Sequence, residues 1–359
     1  MDNHESFRYS GWYLNEGGSV MVKTKVLALI GFALVIALPA SLLAQDANLV
    51  EAAKKEGGKV MVYGSLENDT MDMIAAAFKK KTGLETEYWR AAANKVTDRV
   101  ANESRTGRPL YDVVLTTEST MQLIQKDGFL AKYNSPSARA FPKEVIDPNL
   151  GPRYRIAVIG IVYNTEIIKP ADAPKSLEDL LKPQYKGKVV VPDPSQHTST
   201  AQWLASLHKV MGGKEKADKF IRDLAATKPI LVESLTPAGE RITTGETPIG
   251  VAFLKNVIFY GKKGVPLDYV RLGKFMGDGH TITLGAKAPH PNAGKAFIDF
   301  FLGEEGLRLM AGIGEFVTRK GIYPPLPDAD KIQLVQLVEM DQKAFAEKMA
   351  EYKKIFLQQ

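Results

Sequence analysis

The chain has 359 residues, a formal net charge of +6 and no cysteine. This length suits two domains with sizeable cores, and a chain without cysteine has no disulfide, no thiolate metal site and no cysteine nucleophile. The lysines are spread along the chain and do not cluster with aromatic residues, so the basic balance does not indicate nucleic-acid binding.

The N-terminal region predicts an exported protein. Residues 21–44 read MVKTKVLALIGFALVIALPASLLA, in which two lysines precede an apolar run that ends at Pro39. We interpret this as a signal peptide cleaved after Ala44, because the run is too short for a comfortable membrane span. An uncleaved anchor is the alternative. Both Met1 and Met21 are candidate starts, and we expect Met21, with residues 1–20 as an upstream extension.

Strand and helix patterns alternate in the first part of the mature chain. Strands are predicted at 60–63, 84–89 and 112–115, with helices between them at 70–81 and 95–104. This order indicates parallel βαβ units, whose ligands bind outside the carboxyl ends of the strands. The polar residues in the loops at those ends are therefore candidate ligand contacts: Ser65, Glu67, Thr117 and Glu118.

A hydroxyl-rich loop stands between a strand and a helix in the second part. Residues 189–191 form a β-branched run, Pro192 and Pro194 stop it, and an apolar helical pattern follows up to Gly212. A helix start offers free backbone N–H groups and the positive end of the helix dipole, which suit an oxyanion. The candidate contacts are Ser195, His197, Thr198 and Ser199. An ordinary helix N-cap is the alternative.

The second part of the chain continues the alternation of strands and helices. A long strand is predicted at Arg155–Asn164, and the strand at 248–254 is followed by two more candidate contacts, Lys255 and Asn256. A return strand is predicted at 281–284. Two helices are expected to end the chain, at 328–338 and 342–357.

Several ordered segments resemble the periplasmic solute-binding proteins of ABC importers, in particular the ferric-ion-binding branch. They cover nearly all the mature chain and include VMVYGSLEND at 60–69, GRPLYDVVLTTE at 107–118, IGIVYNTEII at 159–168, SLEDLLKPQYKGKVVVPDP at 176–194, TTGETPIGVAF at 243–253 and NAGKAFIDFFLGEEGLRLM at 292–310. The resemblance implies a two-lobed α/β fold of type II, in which each lobe is a mostly parallel sheet flanked by helices and two strands cross between the lobes.

The implied boundaries make the first lobe discontinuous. After the extension and signal peptide (1–44), the first lobe would take 45–158 and 276–325, the second lobe 159–275, and C-terminal helices at 326–359 would pack on the lobes. The crossings would lie near 159–164 and 274–284. The resemblance also implies a cognate permease and ATPase at the inner membrane, a periplasmic location and, we expect, a monomer without cofactor.

The sequence departs from the ferric branch at its metal site. Ferric members carry an adjacent tyrosine pair after the strand that matches 248–254, and this chain reads Lys255-Asn256-Val257-Ile258 there. A hard Fe³⁺ ion needs anionic oxygen ligands, which Val257 and Ile258 do not supply. The resemblance also extends to members that bind phosphorylated or phosphonate compounds and other small organic anions, and the hydroxyls and the lysine here favour that class. We expect a small organic anion, such as a carboxylate, phosphonate or phosphorylated compound, bound by charge-assisted hydrogen bonds.

The sequence leaves a metal-binding function as an alternative and does not indicate an enzyme. A ferric or other metal binder would use Glu67, Glu118 and Tyr260. An enzyme is not indicated, because the chain has no G-x-S-x-G, no H-E-x-x-H and no Walker motif.

Overall fold

The computed structural model describes residues 47–338 and 340–357. The predicted signal peptide and the extension before it lie outside these residues. Cleavage after Ala44 and the choice between Met1 and Met21 therefore stay predictions.

The first part of the chain alternates strands with helices, as the sequence predicts. Its elements are α1 (47–55), β1 (Lys59–Gly64), α2 (Asn68–Thr82), β2 (Glu85–Arg90), α3 (Ala93–Arg105), β3 (Val113–Thr117), α4 (Glu118–Lys126), β4 (Leu130–Ala131), β5 (Ile146–Asp147) and β6 (Gly151–Pro152). Helix α2 shows the cause: Met71, Ile74 and Phe78 recur at helical spacing and are all fully buried. Gly83 ends the helix in the left-handed conformation, with φ 74°.

The second part begins with the long strand β7 (Arg155–Asn164). Its further elements are β8 (Val189–Pro192), α5 (Thr198–Ser206), α6 (Lys214–Ala226), β9 (Ile230–Val232), α7 (Leu235–Thr244), β10 (Ile249–Phe253), α8 (Asn256–Gly261), β11 (Leu267–Tyr269), β12 (Lys274–Gly285), α9 (Pro291–Leu302), α10 (Glu304–Gly312), β13 (Phe316–Val317), β14 (Gln333–Gln336) and α11 (Gln342–Leu357).

Within the described residues, one long sheet runs through the molecule. Its main order is β2-β1-β3-β12-β7-β10-β8-β9, with β4 and β14 added to β12 and with β11 and β13 added to β7. Strands β2, β1 and β3 are parallel and form what we call the first half-sheet. Strands β10, β8 and β9 are also parallel and form the second half-sheet. The predicted α/β fold of type II is confirmed.

Strands β7 and β12 join the two half-sheets, and they pair with each other in antiparallel fashion. The two strands pair through residues 155–159 of β7 and 276–280 of β12, within the crossing predicted at 274–284 but mostly before the one predicted at 159–164. Their close approach requires glycine at one position, because a Cβ atom at Gly277 would lie 2.4 Å from the carbonyl oxygen of Ala157. The lobe boundaries at 158, 275 and 325 stay predictions.

Separate apolar cores cover the two half-sheets. Helices α2, α9 and α10 pack on the first half-sheet around Phe78 and Phe297, whose rings meet edge to face at 5.3 Å between centroids. Helices α5, α6 and α11 pack on the second half-sheet around Trp203, which is 2% exposed. Because each half-sheet has its own core, side chains that project between the halves are free to be polar.

The predicted helix at 328–338 is wrong, so the C-terminal region is not made of helices alone. Residues Gln333–Gln336 form β14, which pairs in parallel with Lys274–Gly277 of β12. Strand β3 reaches β12 only from His280 onward, so the edge of β12 at 274–277 needs another partner for its backbone groups. This pairing overrides the helical spacing of the sequence. Helix α11 is confirmed at Gln342–Leu357.

Candidate functional site

The two joining strands present polar side chains on one face of the sheet. Arg155, the first residue of β7, lies opposite His280 of β12, and Asp278 lies opposite Ala157. Opposed residues of an antiparallel pair point to the same face, as do residues two apart on one strand. Arg155, Asp278 and His280 therefore share a face where the half-sheets meet.

Three charged side chains from three other segments converge next to Arg155. Its Nη1 atom lies 2.5 Å from Oε1 of Glu315 and 3.6 Å from Oε2 of Glu67. The Nζ atom of Lys255 donates to Oε1 of Glu67 at 2.6 Å and to Oε1 of Glu315 at 3.0 Å. We call these residues the charged quartet: Arg155, Lys255, Glu67 and Glu315. Two cations and two carboxylates make it neutral overall.

The quartet keeps its charges although water is largely excluded. The side chains of Arg155 and Glu315 are 3% and 2% exposed. Burial alone would raise the pKa of Glu67, but the charges of Lys255 and Arg155 and the Lys255 hydrogen bond hold it well below its usual range. Burial likewise opposes the charge of Lys255, yet Glu315 and Glu67 raise its pKa. The Glu67 carboxylate therefore stays ionised beside Lys255.

A second ion pair lies close to the quartet. Arg153 donates through Nε to Oε2 of Glu118 at 2.7 Å, and its Nη2 atom lies 2.6 Å from the same oxygen. Glu118 is buried at the start of α4. The arginine passes directly over Gly279, where a Cβ atom would lie 2.4 Å from Cδ of Arg153. Glycine at 279 therefore leaves room for this arginine beside the shared face.

Asp278 connects the joining strands to the helix start of the second half-sheet. The Ser199 hydroxyl donates to Oδ2 of Asp278 at 3.3 Å. The pKa of Asp278 is raised to about 6. Burial raises it most, the hydrogen bond from Ser199 lowers it, and the charge of Glu118 raises it. The pKa of His280 is well below its usual range, first because of burial and then because of Arg155. His280 is thus a neutral imidazole at physiological pH.

Asp278 should make the folded protein less stable as the pH rises towards neutrality. Its pKa rises from 3.8 to about 6 on folding, so the folded state holds the proton more tightly than the unfolded chain. The stabilising contribution of Asp278 is complete below about pH 4 and is lost as the pH passes about 6. The free energy of unfolding changes by at most about 3 kcal/mol over this range. Urea unfolding between these pH values should show Asp278→Asn gaining stability relative to wild type as the pH rises. A difference that does not change with pH would contradict this assignment.

The helix start at α5 uses its polar groups mainly for local structure. Nδ1 of His197 accepts from the backbone N–H of Thr200 at 3.2 Å and lies 2.8 Å from the Thr200 hydroxyl. The backbone N–H of Ser195 donates to Oδ1 of Asp193 at 2.8 Å. Thr198 is exposed. The N-cap alternative therefore accounts for His197, and Ser199 reaches the shared face. A ligand-binding role for Ser195, His197 and Thr198 stays a prediction.

The remaining candidate residues contact their own half of the molecule. The hydroxyls of Ser65 and Thr116 lie 2.9 Å apart, and the hydroxyl of Thr117 donates to that of Thr120 at 2.8 Å. Asn256 is buried against Gly239 of α7, where a Cβ atom would lie 2.2 Å from its Nδ2 atom. A ligand-binding role for Ser65, Thr117 and Asn256 stays a prediction.

Sequence reasoning missed several members of this site. They lie on or beside the joining strands and not in the loops at strand ends: Arg153, Arg155, Asp278, His280 and Glu315. One signal was available: Arg155 is the single charge in the run RIAVIGIVYN, and a charge in a buried strand needs a partner. The identity of that partner, 160 positions away, had no local signal.

The proposed metal set does not come together as a group. Glu67 pairs with Lys255, Glu118 pairs with Arg153, and the Tyr260 ring packs on Phe259. Within residues 47–338 and 340–357, no three His, Cys, Asp or Glu side chains are placed to hold a metal ion. In the same part of the chain, no helix combines the length and apolarity needed to span a membrane.

Comparison with known sequences gives two matches to binding proteins. The sequence profile of the bacterial extracellular solute-binding proteins matches residues 108–343. A Sinorhizobium fredii protein, the probable ABC transporter periplasmic-binding protein y4fP, is 30% identical over 130 residues, which is 36% of each chain.

Solved structures of periplasmic binding proteins share the fold. AfuA from Actinobacillus pleuropneumoniae, solved with fructose-6-phosphate bound, has a TM-score of 0.65 and 21% identity over 84% of this chain and 97% of its own. Iron-bound HitA from Pseudomonas aeruginosa has a TM-score of 0.62 and 19% identity over 83% of this chain and 96% of its own. These two proteins carry different ligands, so the shared fold does not determine the ligand of this chain.

Proposed function

This chain belongs to the bacterial extracellular solute-binding proteins and is a periplasmic component of an ABC transporter rather than an enzyme, and we propose that its solute is a small organic anion. A carboxylate, a phosphonate or a phosphorylated compound would bind between the half-sheets. The protein would act as a monomer and deliver the anion to its permease, which a cognate ATPase drives.

One observation supports this proposal: loops from both half-sheets come together around cationic side chains. Lys255 follows β10 of the second half-sheet, Glu67 follows β1 of the first, and they contact each other at 2.6 Å beside Arg155. Arg153 adds a third cation next to the shared face. Charge-assisted hydrogen bonds from lysine and arginine are strong and suit carboxylate and phosphoryl oxygens. Ser199 supplies a hydroxyl at the same place.

Ligand capture would use the joining strands as the hinge. The two half-sheets have separate cores and are linked through β7 and β12, so a rotation about these strands changes the gap between the loops without disturbing either core. Domain closure around a ligand is a common mode of movement in periplasmic binding proteins. A ligand that contacts both halves stabilises the closed form by its extra contacts there.

The proposal is tested by identifying the solute. Mass spectrometry of the compound that co-purifies with the protein, followed by calorimetry with carboxylates, phosphonates, sugar phosphates and Fe³⁺, should give an organic anion with a Kd of about 1 μM or lower. Small-angle scattering should show a smaller radius of gyration with that anion and the mass of a monomer. Binding of Fe³⁺ alone, with a charge-transfer colour, would overturn the organic-anion assignment and support a ferric binder.

A further inference from the structure

The two cations of the quartet share two carboxylates that differ in accessibility. Glu315 is 2% exposed and contacts both Arg155 and Lys255. The side chain of Glu67 contacts the same two cations and is 40% exposed. Glu315 is therefore the more enclosed of the two carboxylates. The Glu67 side chain reaches solvent in part, although its Oε2 atom is buried.

Glu67 is also held by fewer contacts than its position suggests. It is the N-cap residue of α2, yet its side chain accepts no capping hydrogen bond. Oε1 accepts from Lys255, but Oε2 has no hydrogen-bond partner and lies 3.6 Å from Arg155. Nε of Arg155, although buried, also has no hydrogen-bond partner.

We propose that Arg155 and Lys255 form the subsite for the oxyanion of the solute, and that the Glu67 carboxylate occupies this subsite until the solute displaces it. This inference rests on the proposed function for the existence of the solute. The displaced group defines the chemical class of the solute. A carboxylate or phosphoryl group on the solute accepts the same kind of hydrogen bonds from lysine and arginine as the Glu67 carboxylate. Glu67 then turns into solvent without breaking a helix cap.

Charge balance makes the exchange selective. If an anion replaces Glu67, the two cations still face two negative groups. If a neutral or cationic solute entered instead, Arg155 and Lys255 would retain only Glu315, and one largely buried positive charge would be uncompensated, which is costly. Glu67 is therefore a specificity-determining residue that excludes solutes without an oxyanion.

The same contact joins the two half-sheets when no solute is bound. Glu67 lies in the first half and Lys255 in the second, so their ion pair limits how far the halves separate in the ligand-free protein, and a solute that contacts both halves would close them further. An ion pair that is partly exposed weakens at high salt. The ligand-free protein should thus open when the salt concentration rises or when the charge of Glu67 is removed.

The first test needs no ligand. Small-angle scattering of the ligand-free protein is compared at ionic strengths of about 0.01 M and about 1 M, where the Debye length falls from about 30 Å to about 3 Å. Wild type should expand at high salt, whereas Glu67→Gln should already be expanded at low salt and respond little. The control is Glu87→Gln, which removes an equally exposed carboxylate paired with Lys59 within the first half-sheet and should behave like wild type. Equal radii for wild type and Glu67→Gln at both salt concentrations would overturn the inter-half contact.

The second test uses inorganic phosphate as the probe. Glu67→Gln should bind phosphate about tenfold more tightly than wild type, because the internal competitor is weakened. Glu87→Gln has the same change in net charge and should bind as wild type does. Glu67→Asp, which keeps the charge but shortens its reach, should lie between wild type and Glu67→Gln and serves if the glutamine variant does not fold. Unchanged, weaker or undetectable phosphate binding by the Glu67 variants would overturn the subsite.

The two tests separate this inference from the proposed function. Expansion of Glu67→Gln without ligand, combined with a solute screen that yields only Fe³⁺, would retain the contact between the halves and overturn the organic-anion function. Binding of an organic anion that weakens in Glu67→Gln would retain the function and overturn displacement, because Glu67 would then contact the solute directly.

Discussion

Replacing Arg155 by methionine should lower the free energy of unfolding by about 3–5 kcal/mol. The substitution keeps the apolar stem but removes the cation 2.5 Å from the Glu315 carboxylate, which is 2% exposed. Lys255, 3.0 Å from Glu315, is then the one cation facing both Glu315 and Glu67, so one negative charge of the quartet is uncompensated. Removing one partner of a buried ion pair costs this much because the other charge stays desolvated. Urea unfolding at neutral pH, followed by circular dichroism, measures the loss.

The double variant Arg155→Met with Glu315→Leu tests the cause of that loss. It removes the buried pair together and leaves Lys255 and Glu67 as a neutral pair at 2.6 Å. Replacing a whole buried ion pair by apolar groups is often neutral or stabilising, so most of the lost stability should return. If the double variant is as unstable as Arg155→Met alone, the two side chains are not energetically coupled, and the cost lies in lost packing.

Replacing Lys255 by methionine should weaken binding of the organic anion by about 10- to 150-fold. The variant removes a charged hydrogen bond to the ligand, which is worth about 1.5–3 kcal/mol. The remaining cations, Arg155 and Arg153, keep their carboxylate partners Glu315 and Glu118. Isothermal titration calorimetry with the anion identified from the purified protein gives the change in Kd.

Two variants control for changes in net charge and in folding. Lys262→Met removes an exposed lysine just beyond α8 and should leave Kd unchanged. Lys255→Arg keeps the cation and should recover part of the affinity. If Lys255→Met is folded by circular dichroism and binds the anion as wild type does, Lys255 is not a ligand contact.

Much of the fold follows from short-range patterns. The strand predicted at Arg155–Asn164 has these bounds in the structure, because a run rich in β-branched residues and buried on both faces has no competing period. Glu67 and Lys255 were selected from loops at strand ends, 188 positions apart in sequence, and they lie 2.6 Å from each other. The rule that ligands bind at the carboxyl ends of parallel strands therefore located two members of the quartet.

The parts of the fold and of the site that were not predicted depend mainly on contacts between residues far apart in the sequence. Glu315 precedes a two-residue strand, and its pairing with Arg155 is set by the register in which β13 and β12 lie against β7. Residues 333–336 have helical spacing but complete the open edge of β12. His197 has the chemistry of a ligand contact, yet its ring caps α5. Tertiary pairing therefore decides the structure at Glu315 and at residues 333–336, whereas His197 follows the local N-cap alternative.

Helix α11 packs on the second half-sheet and should move with it. Tyr352 of α11 is 1% exposed in the core that covers that half, and Gln202 of α5 donates to the carbonyl of Val338 at 2.6 Å. A reporter attached at Leu357, which is 48% exposed, would therefore follow the second half during closure. A fluorophore pair at Leu357 and at exposed Lys80 of α2 would read out the distance between the halves. Because the native chain contains no cysteine, two introduced cysteines would be the only labelling sites.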